Sequence, residues 1–154
     1  MDMSKALNAI DKARTYQYKG AKGLRDYASA GGIGASWNAG RDRAERNDCT
    51  VRALAICHAT MSYADAHAHM RKHGRADMHG MKFGRIDNAL TELGAKRIDV
   101  SERFTLAQFA RRFSRGIYYV SIVGHVFAMV DGRQLDMQAT GIRSRIDGAW
   151  KFSD

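Results

Sequence analysis

Residues 47–55, NDCTVRALA, and residues 124–132, GHVFAMVDG, are the two stretches that determine the fold of this 154-residue chain. In the first, apolar residues recur at helical spacing after a polar run that ends in Asp48, a favoured helix N-cap. In the second, β-branched and aromatic residues lead into an Asp-Gly pair, which is a strong hairpin signal. The two stretches therefore predict a buried helix that begins at Cys49 and a strand that begins at His125.

Cys49 is a candidate nucleophile because of its predicted place at the first position of a helix. Free backbone amides and the positive end of the helix dipole favour a thiolate there, and a nearby imidazole such as that of His125 adds to the effect. The two residues need only meet in space. The alternative is that Cys49 is a small buried apolar residue, since free cysteines are often buried. Cys57, on the same predicted helix, fits that alternative.

Asp136 is the residue that we expect to orient the imidazole of His125. A two-residue Asp-Gly turn sets Val130 opposite Arg133 and Phe127 opposite Asp136. Asp136 then lies on the same face of the hairpin as His125 and within diagonal reach of it. The alternative is that Asp136 is a solvated carboxylate at the end of a strand.

The order of the elements predicts an α+β fold, with a central helix packed against an antiparallel sheet. Most helical periodicity comes before the β-branched runs. The predicted helices are Cys49–Met61, Tyr63–His73, Arg85–Leu93 and Thr105–Phe113, and the predicted strands are Ala95–Val100, Ile117–Val123, His125–Val130, Gln134–Met137 and Ala149–Phe152.

Residues 1–40 are predicted to form a helical N-terminal extension or docking arm, and residues 41–154 to form the core domain. Ser4–Tyr16 has apolar residues at helical spacing, and Lys22–Ala28 is a second candidate helix. The glycine-rich segment 31–40 lacks the Gly-Lys-Ser/Thr ending of a phosphate-binding loop. We therefore expect a connector or a loop that flanks the substrate, rather than a nucleotide site.

The Asp-Cys-x-x-Arg-Ala run at 48–53 and the GHVFAxVDG run at 124–132, followed by Asp136, resemble a group of small bacteriophage proteins with a papain-like cysteine peptidase fold. More distantly, they are similar to bacteriocin leader peptidases. The resemblance covers about residues 47 to 137. It implies that Cys49 is the nucleophile, that His125 is the general base and acid, and that Asp136 orients the imidazole.

One departure from the papain-like pattern concerns the oxyanion hole. The pattern usually places a glutamine about six residues before the cysteine, and this chain has Arg43 there. Asn47, or the backbone amide of Cys49, would have to substitute for a donor that is worth roughly 3 kcal/mol of transition-state stabilisation. The resemblance thus leaves two functions open. One is a cysteine hydrolase of a peptide or related amide bond, and the other is an inactive papain-like fold that serves as a virion or host-protein-binding protein.

The net charge of +9 arises from 25 Lys and Arg residues against 16 Asp and Glu residues. Such a balance favours acidic partners, including nucleic acid, membranes or acidic proteins, but it also serves solubility. No zinc-finger, recognition-helix or aromatic RNA-binding signature accompanies the charge, so a dedicated reader of nucleic acid is not expected. The resemblance implies a protein or peptide substrate and phage virion or host proteins as partners, and the charge allows non-specific binding of nucleic acid, but no membrane partner is expected.

Cysteine usage and apolar runs predict a protein of a reducing compartment, and the resemblance to phage proteins implies the host cytoplasm or the virion. Cys49 and Cys57 lie about two helical turns apart, too far for a disulfide. No apolar run approaches the roughly 20 residues that span a bilayer, and no hydrophobic signal-peptide core is visible at the N-terminus. We expect neither secretion nor membrane insertion.

The histidines at 67, 69, 73 and 79, together with Asp65, raise the question of a metal site. Asp65 and His73 are eight residues apart, about 12 Å along a helix, and cannot share one ion. At most His69 and His73 could chelate together. The chain has no His-Glu-x-x-His pattern. We therefore expect a solvent-facing polar stripe, with no metal and no cofactor.

Overall fold

Four helices and five strands lie in the part of the chain that the computed structural model describes, namely residues 47–58, 61, 63–136 and 140–153. The helices are α1 (Cys49–Cys57), α2 (Tyr63–Lys72), α3 (Phe83–Glu92) and α4 (Leu106–Arg112), and the strands are β1 (Lys96–Arg97), β2 (Ile117–Ile122), β3 (His125–Val130), β4 (Arg133–Leu135) and β5 (Ile146–Ser153). The strands form one antiparallel sheet in the order β1-β5-β2-β3-β4. The predicted α+β class is confirmed.

The β3–β4 hairpin has the predicted register. Val130 pairs with Arg133 across a two-residue turn. Asp131 has φ 50° and Gly132 has φ 76°, which is the backbone of a type I′ turn. The ladder ends at the pair of Ala128 and Leu135, so Asp136 is the first residue beyond β4.

Strand β3 is buried on both faces of the sheet. Val126, Ala128 and Val130 belong to the core under α1, α2 and α3, whereas Phe127 and Met129 belong to the core under α4. This alternation follows the period of two of a strand. The largest fully buried side chains on the α1 side include Leu54, Met70, Leu90, Tyr119 and Trp150.

A capping box fixes the start of helix α4, which packs on the face of the sheet opposite α1. The Thr105 side chain accepts from the Gln108 backbone amide at 3.2 Å, and the Gln108 side chain accepts from the Thr105 amide at 2.9 Å. This capping box satisfies two amides that a helix N-terminus leaves free. Phe109 then points into the core under α4, where it packs edge-on against Tyr118 with ring centroids 5.6 Å apart.

Several element boundaries differ from the sequence prediction. Helix α1 ends at Cys57 and not at Met61, because His58 takes an extended conformation with φ −89° and ψ 114°. Strand β1 has two residues instead of the predicted Ala95–Val100. The Ile98 amide still bonds the Ala149 carbonyl at 2.8 Å, but the chain then turns away from the sheet.

The predicted N-terminal extension, residues 1–40, and Arg43 lie outside the described residues, so the two-part division of the chain stays a prediction. Across the residues that the structure does describe, we find no helix with the length and apolar character needed to cross a membrane.

Candidate active site

The two cysteines have different environments at the two ends of α1. Cys49 is the first residue of the helix and is partly exposed, whereas Cys57 is the last and is buried. The Cys57 thiol donates to the Tyr118 carbonyl at 3.4 Å, and burial raises its pKa. Cys49 is therefore the thiol that solvent can reach.

Cys49 and His125, 76 positions apart in sequence, meet because α1 packs against β3. Burial alone raises the pKa of Cys49. The hydrogen bond to His125, the backbone amide of Val126 and the charges on His125 and Arg52 together outweigh that effect, so the pKa of the thiol is lowered. A lowered pKa is what a nucleophilic thiolate requires.

His125 is held on its far side by Asp136. Its Nε2 lies 2.5 Å from Asp136 Oδ2, and both side chains are largely shielded from solvent. A carboxylate only accepts, so Nε2 carries a proton and Nδ1 is the nitrogen left for Cys49. The Asp136 hydrogen bond, followed by the Cys49 hydrogen bond, raises the pKa of His125 to about 9 against the effect of burial. Both shifts act in the direction of an imidazolium–thiolate pair.

Asp136 is fixed by neighbours of its own. Gln134 Nε2 lies 3.4 Å from Asp136 Oδ2, and the same amide donates to the Thr140 hydroxyl at 2.9 Å. The Thr140 backbone amide in turn donates to Gln134 Oε1 at 3.0 Å. The alternative of a solvated strand-end carboxylate does not fit this enclosure.

Arg52 links the helix that carries Cys49 to the carboxylate that orients His125. Its Nε lies 3.2 Å from Asp48 Oδ1, and its Nη1 lies 3.7 Å from Asp136 Oδ1. Sequence reasoning missed this role, although the i, i+4 spacing of Asp48 and Arg52 was a usable signal.

Asp48 occupies the N-cap position of α1, as predicted, but its side chain makes no capping hydrogen bond. The carboxylate is only 1% exposed and is used for tertiary contacts. It accepts from the Tyr63 hydroxyl at 3.1 Å and pairs with Arg52. The expected side-chain cap is therefore corrected: the carboxylate contacts Arg52 and Tyr63 instead of the free amides of α1. No local pattern marks Tyr63, because its role depends on how α2 packs against α1.

Asn47, the predicted oxyanion donor, lies next to the site but is engaged elsewhere. It has φ 50°, and its side-chain amide donates to the Met78 carbonyl at 3.1 Å. The structure therefore brings Cys49, His125 and Asp136 together and leaves the Asn47 amide outside that group. Its role in an oxyanion hole stays a prediction.

No protein family, curated protein or solved structure matches this chain. The chemistry of the site must therefore be argued from its own geometry.

Proposed function

We propose that this chain is a papain-like cysteine hydrolase, encoded by a bacteriophage, that cleaves a peptide or related amide bond in a protein or peptide of the host cytoplasm or the virion. The observation that carries the proposal is the hydrogen-bonded series from Cys49 through His125 to Asp136. The nucleophile at a helix start, the imidazole on a strand and the carboxylate after it have the chain order of the papain-like pattern.

In the acylation step, the Cys49 thiolate would attack the carbonyl carbon of the scissile amide and form a carbon–sulfur bond. The carbon–nitrogen bond then breaks as the proton on His125 Nδ1 passes to the leaving amine. The products of this step are the free amine and a thioester on Cys49.

In the deacylation step, the neutral His125 takes a proton from water, and the resulting hydroxide attacks the thioester. The carbon–sulfur bond then breaks, which releases the acid product and the Cys49 thiolate, and the proton taken from water leaves His125 as the imidazolium beside it. Asp136 keeps the ring in one tautomer and orientation through both steps, as the carboxylate of a Ser-His-Asp triad does.

Oxyanion stabilisation is the part of this mechanism that needs a rearrangement. The backbone amide of Cys49 can supply one donor at the helix start. Asn47 can supply a second once its amide exchanges the Met78 carbonyl for the substrate oxygen. Substrate binding would have to drive that exchange.

The test is to incubate the full-length chain with a peptide library and identify new termini by mass spectrometry. We expect cleavage that is abolished in Cys49→Ala and retained in Cys57→Ala, the matched control for the buried thiol. Cleavage that survives in Cys49→Ala would exclude the proposed nucleophile.

A second candidate function is a non-catalytic papain-like protein that binds a virion or host protein. The contact between Asn47 and Met78 favours it, because that contact takes the proposed side-chain donor away from the oxyanion position. A rapidly alkylated Cys49 together with no cleavage of any library peptide would support this second function.

A further inference from the structure

The side chains of His69, His73 and Glu92 converge at the ends of two neighbouring helices. His69 lies on α2 and His73 directly follows its last residue, with ring centroids 4.8 Å apart, and Glu92 is the last residue of α3. One ligand atom from each of the three lies within 4.8 Å of the other two. The predicted solvent-facing stripe is thus partly covered by α3.

We propose that His69, His73 and Glu92 form a binding site for a divalent transition metal ion of the zinc class, which would join α2 to α3. Two imidazoles and one carboxylate are a ligand set that zinc accepts, with a fourth position left for water. Ligand atoms around tetrahedral zinc lie about 3.4 Å apart. The widest separation in the cluster must therefore close by roughly 1 Å, whereas His73 and Glu92, already in contact, must move apart to admit the ion. Glu92 is 43% exposed and can make that movement.

The contacts around His69 suit a metal ligand. Its Nε2 lies 2.8 Å from the Ala89 carbonyl, which can only accept, so the neutral ring carries its proton on Nε2 and its lone pair on Nδ1. Metal-bound histidines usually donate their other ring N–H to a carbonyl or carboxylate in this way. Ala89 lies on α3, the helix that also carries Glu92.

The contact between His73 and Glu92 marks the place that the ion would take. His73 Nε2 bonds Glu92 Oε2, and a metal ion would replace the proton of this hydrogen bond. Lys72 competes for the same carboxylate, because its Nζ lies 2.6 Å from Glu92 Oε1. A metal ion that binds Glu92 must therefore displace Lys72 from this carboxylate, so substitution of Lys72 tests the site.

The site does not depend on the proposed hydrolase, since it contains none of Cys49, His125 and Asp136. By binding the folded chain, the ion would stabilise the packing of α2 on α3 and raise the unfolding temperature with metal concentration.

The test is a Zn²⁺ titration of the full chain by calorimetry, with thermal unfolding measured in parallel. We expect one site in both the wild type and Cys49→Ala, which excludes zinc held by the reactive thiol. His73→Ala and Glu92→Gln should each weaken binding by more than the roughly 10-fold that loss of an outer contact costs. Lys72→Gln should tighten it, and His79→Ala, an exposed histidine outside the cluster, should leave it unchanged.

The absence of zinc binding in the wild type, or binding that Glu92→Gln and Lys72→Gln leave unchanged, would overturn the proposal.

Discussion

His125 Nε2 lies 2.5 Å from Asp136 Oδ2 at the open end of the β3–β4 hairpin. The same imidazole contacts Cys49 on α1, so two elements distant in sequence converge on one ring. The consequences of this arrangement can be measured without knowledge of any substrate.

Cys49 should be alkylated before Cys57. Cys49 is partly exposed and has a lowered pKa, whereas burial raises the pKa of Cys57. Iodoacetamide labelling of the native chain at about pH 6, followed by peptide mass spectrometry, should show modification at Cys49 alone at early times. Equal or reversed rates would contradict the proposed site.

Removal of the His125 imidazole should make the thiolate form of Cys49 less stable relative to the thiol. In His125→Ala the pKa of Cys49 should rise toward the unperturbed value of about 8.5. Asp136→Ala should shift the pKa in the same direction but less, because Asp136 acts through His125. Thiolate absorbance against pH measures both shifts in a Cys57→Ala background. An identical titration in wild type and His125→Ala would show that the two residues do not interact.

Asp136 should stabilise the fold in a defined pH range. The folded-state pKa of His125, about 9, is above the 6.5 of an ordinary imidazole. Stability from the charged contact is therefore fully present below about pH 6.5 and is lost as pH rises through about 9. Asp136→Asn should destabilise the chain most at about pH 6 and least at about pH 9.5, as measured by urea unfolding. A loss of unfolding free energy that is the same at both pH values would contradict a charged contact between His125 and Asp136.

Arg52→Met should destabilise the fold and raise the pKa of Cys49. It leaves the buried Asp48 carboxylate without its charged partner, and breaking a buried ion pair from one side costs about 3 kcal/mol. Arg71→Met is the matched control, because Arg71 pairs with Asp77 in an exposed position. Such a pair is worth about 0–1 kcal/mol. Equal losses of unfolding free energy in the two variants would show that Arg52 has no special role.

The proposed division of the chain can be tested by proteolysis. Limited trypsin digestion should cut between Gly31 and Arg46 and leave a folded C-terminal fragment, since we predict a glycine-rich connector there. Circular dichroism of the purified fragment checks that it is folded. Resistance of the whole segment would indicate that the N-terminal residues are packed into the core.

The parts of this fold that local chemistry controls could be predicted from the sequence. The Asp131–Gly132 turn accepts two positive φ angles, so the pairing of Val130 with Arg133 followed from residue types alone. The meeting of Cys49 with His125 could be inferred only from chemical compatibility and from the resemblance to papain-like peptidases, because no local rule brings α1 to β3.

Other contacts could not be predicted because they arise from tertiary packing. Tyr63 and Arg52 compete with helix capping for Asp48, and the packing of α2 on α1 decides the outcome. The approach of Glu92 to His73 depends in the same way on α3, which no periodicity in α2 reveals.

The length of the type I′ turn at Asp131 and Gly132 also determines which side of the hairpin Asp136 faces. A side chain at position 132 would bring its Cβ within 2.9 Å of the Ala110 carbonyl, so the turn is held against α4. Because successive strand residues face opposite ways, one residue inserted there would turn Asp136 to the other side of the hairpin. The carboxylate would then lie in the wrong layer of the protein, although every side chain of the site was still present. The position of Asp136 relative to His125 thus depends on the number of residues in the turn.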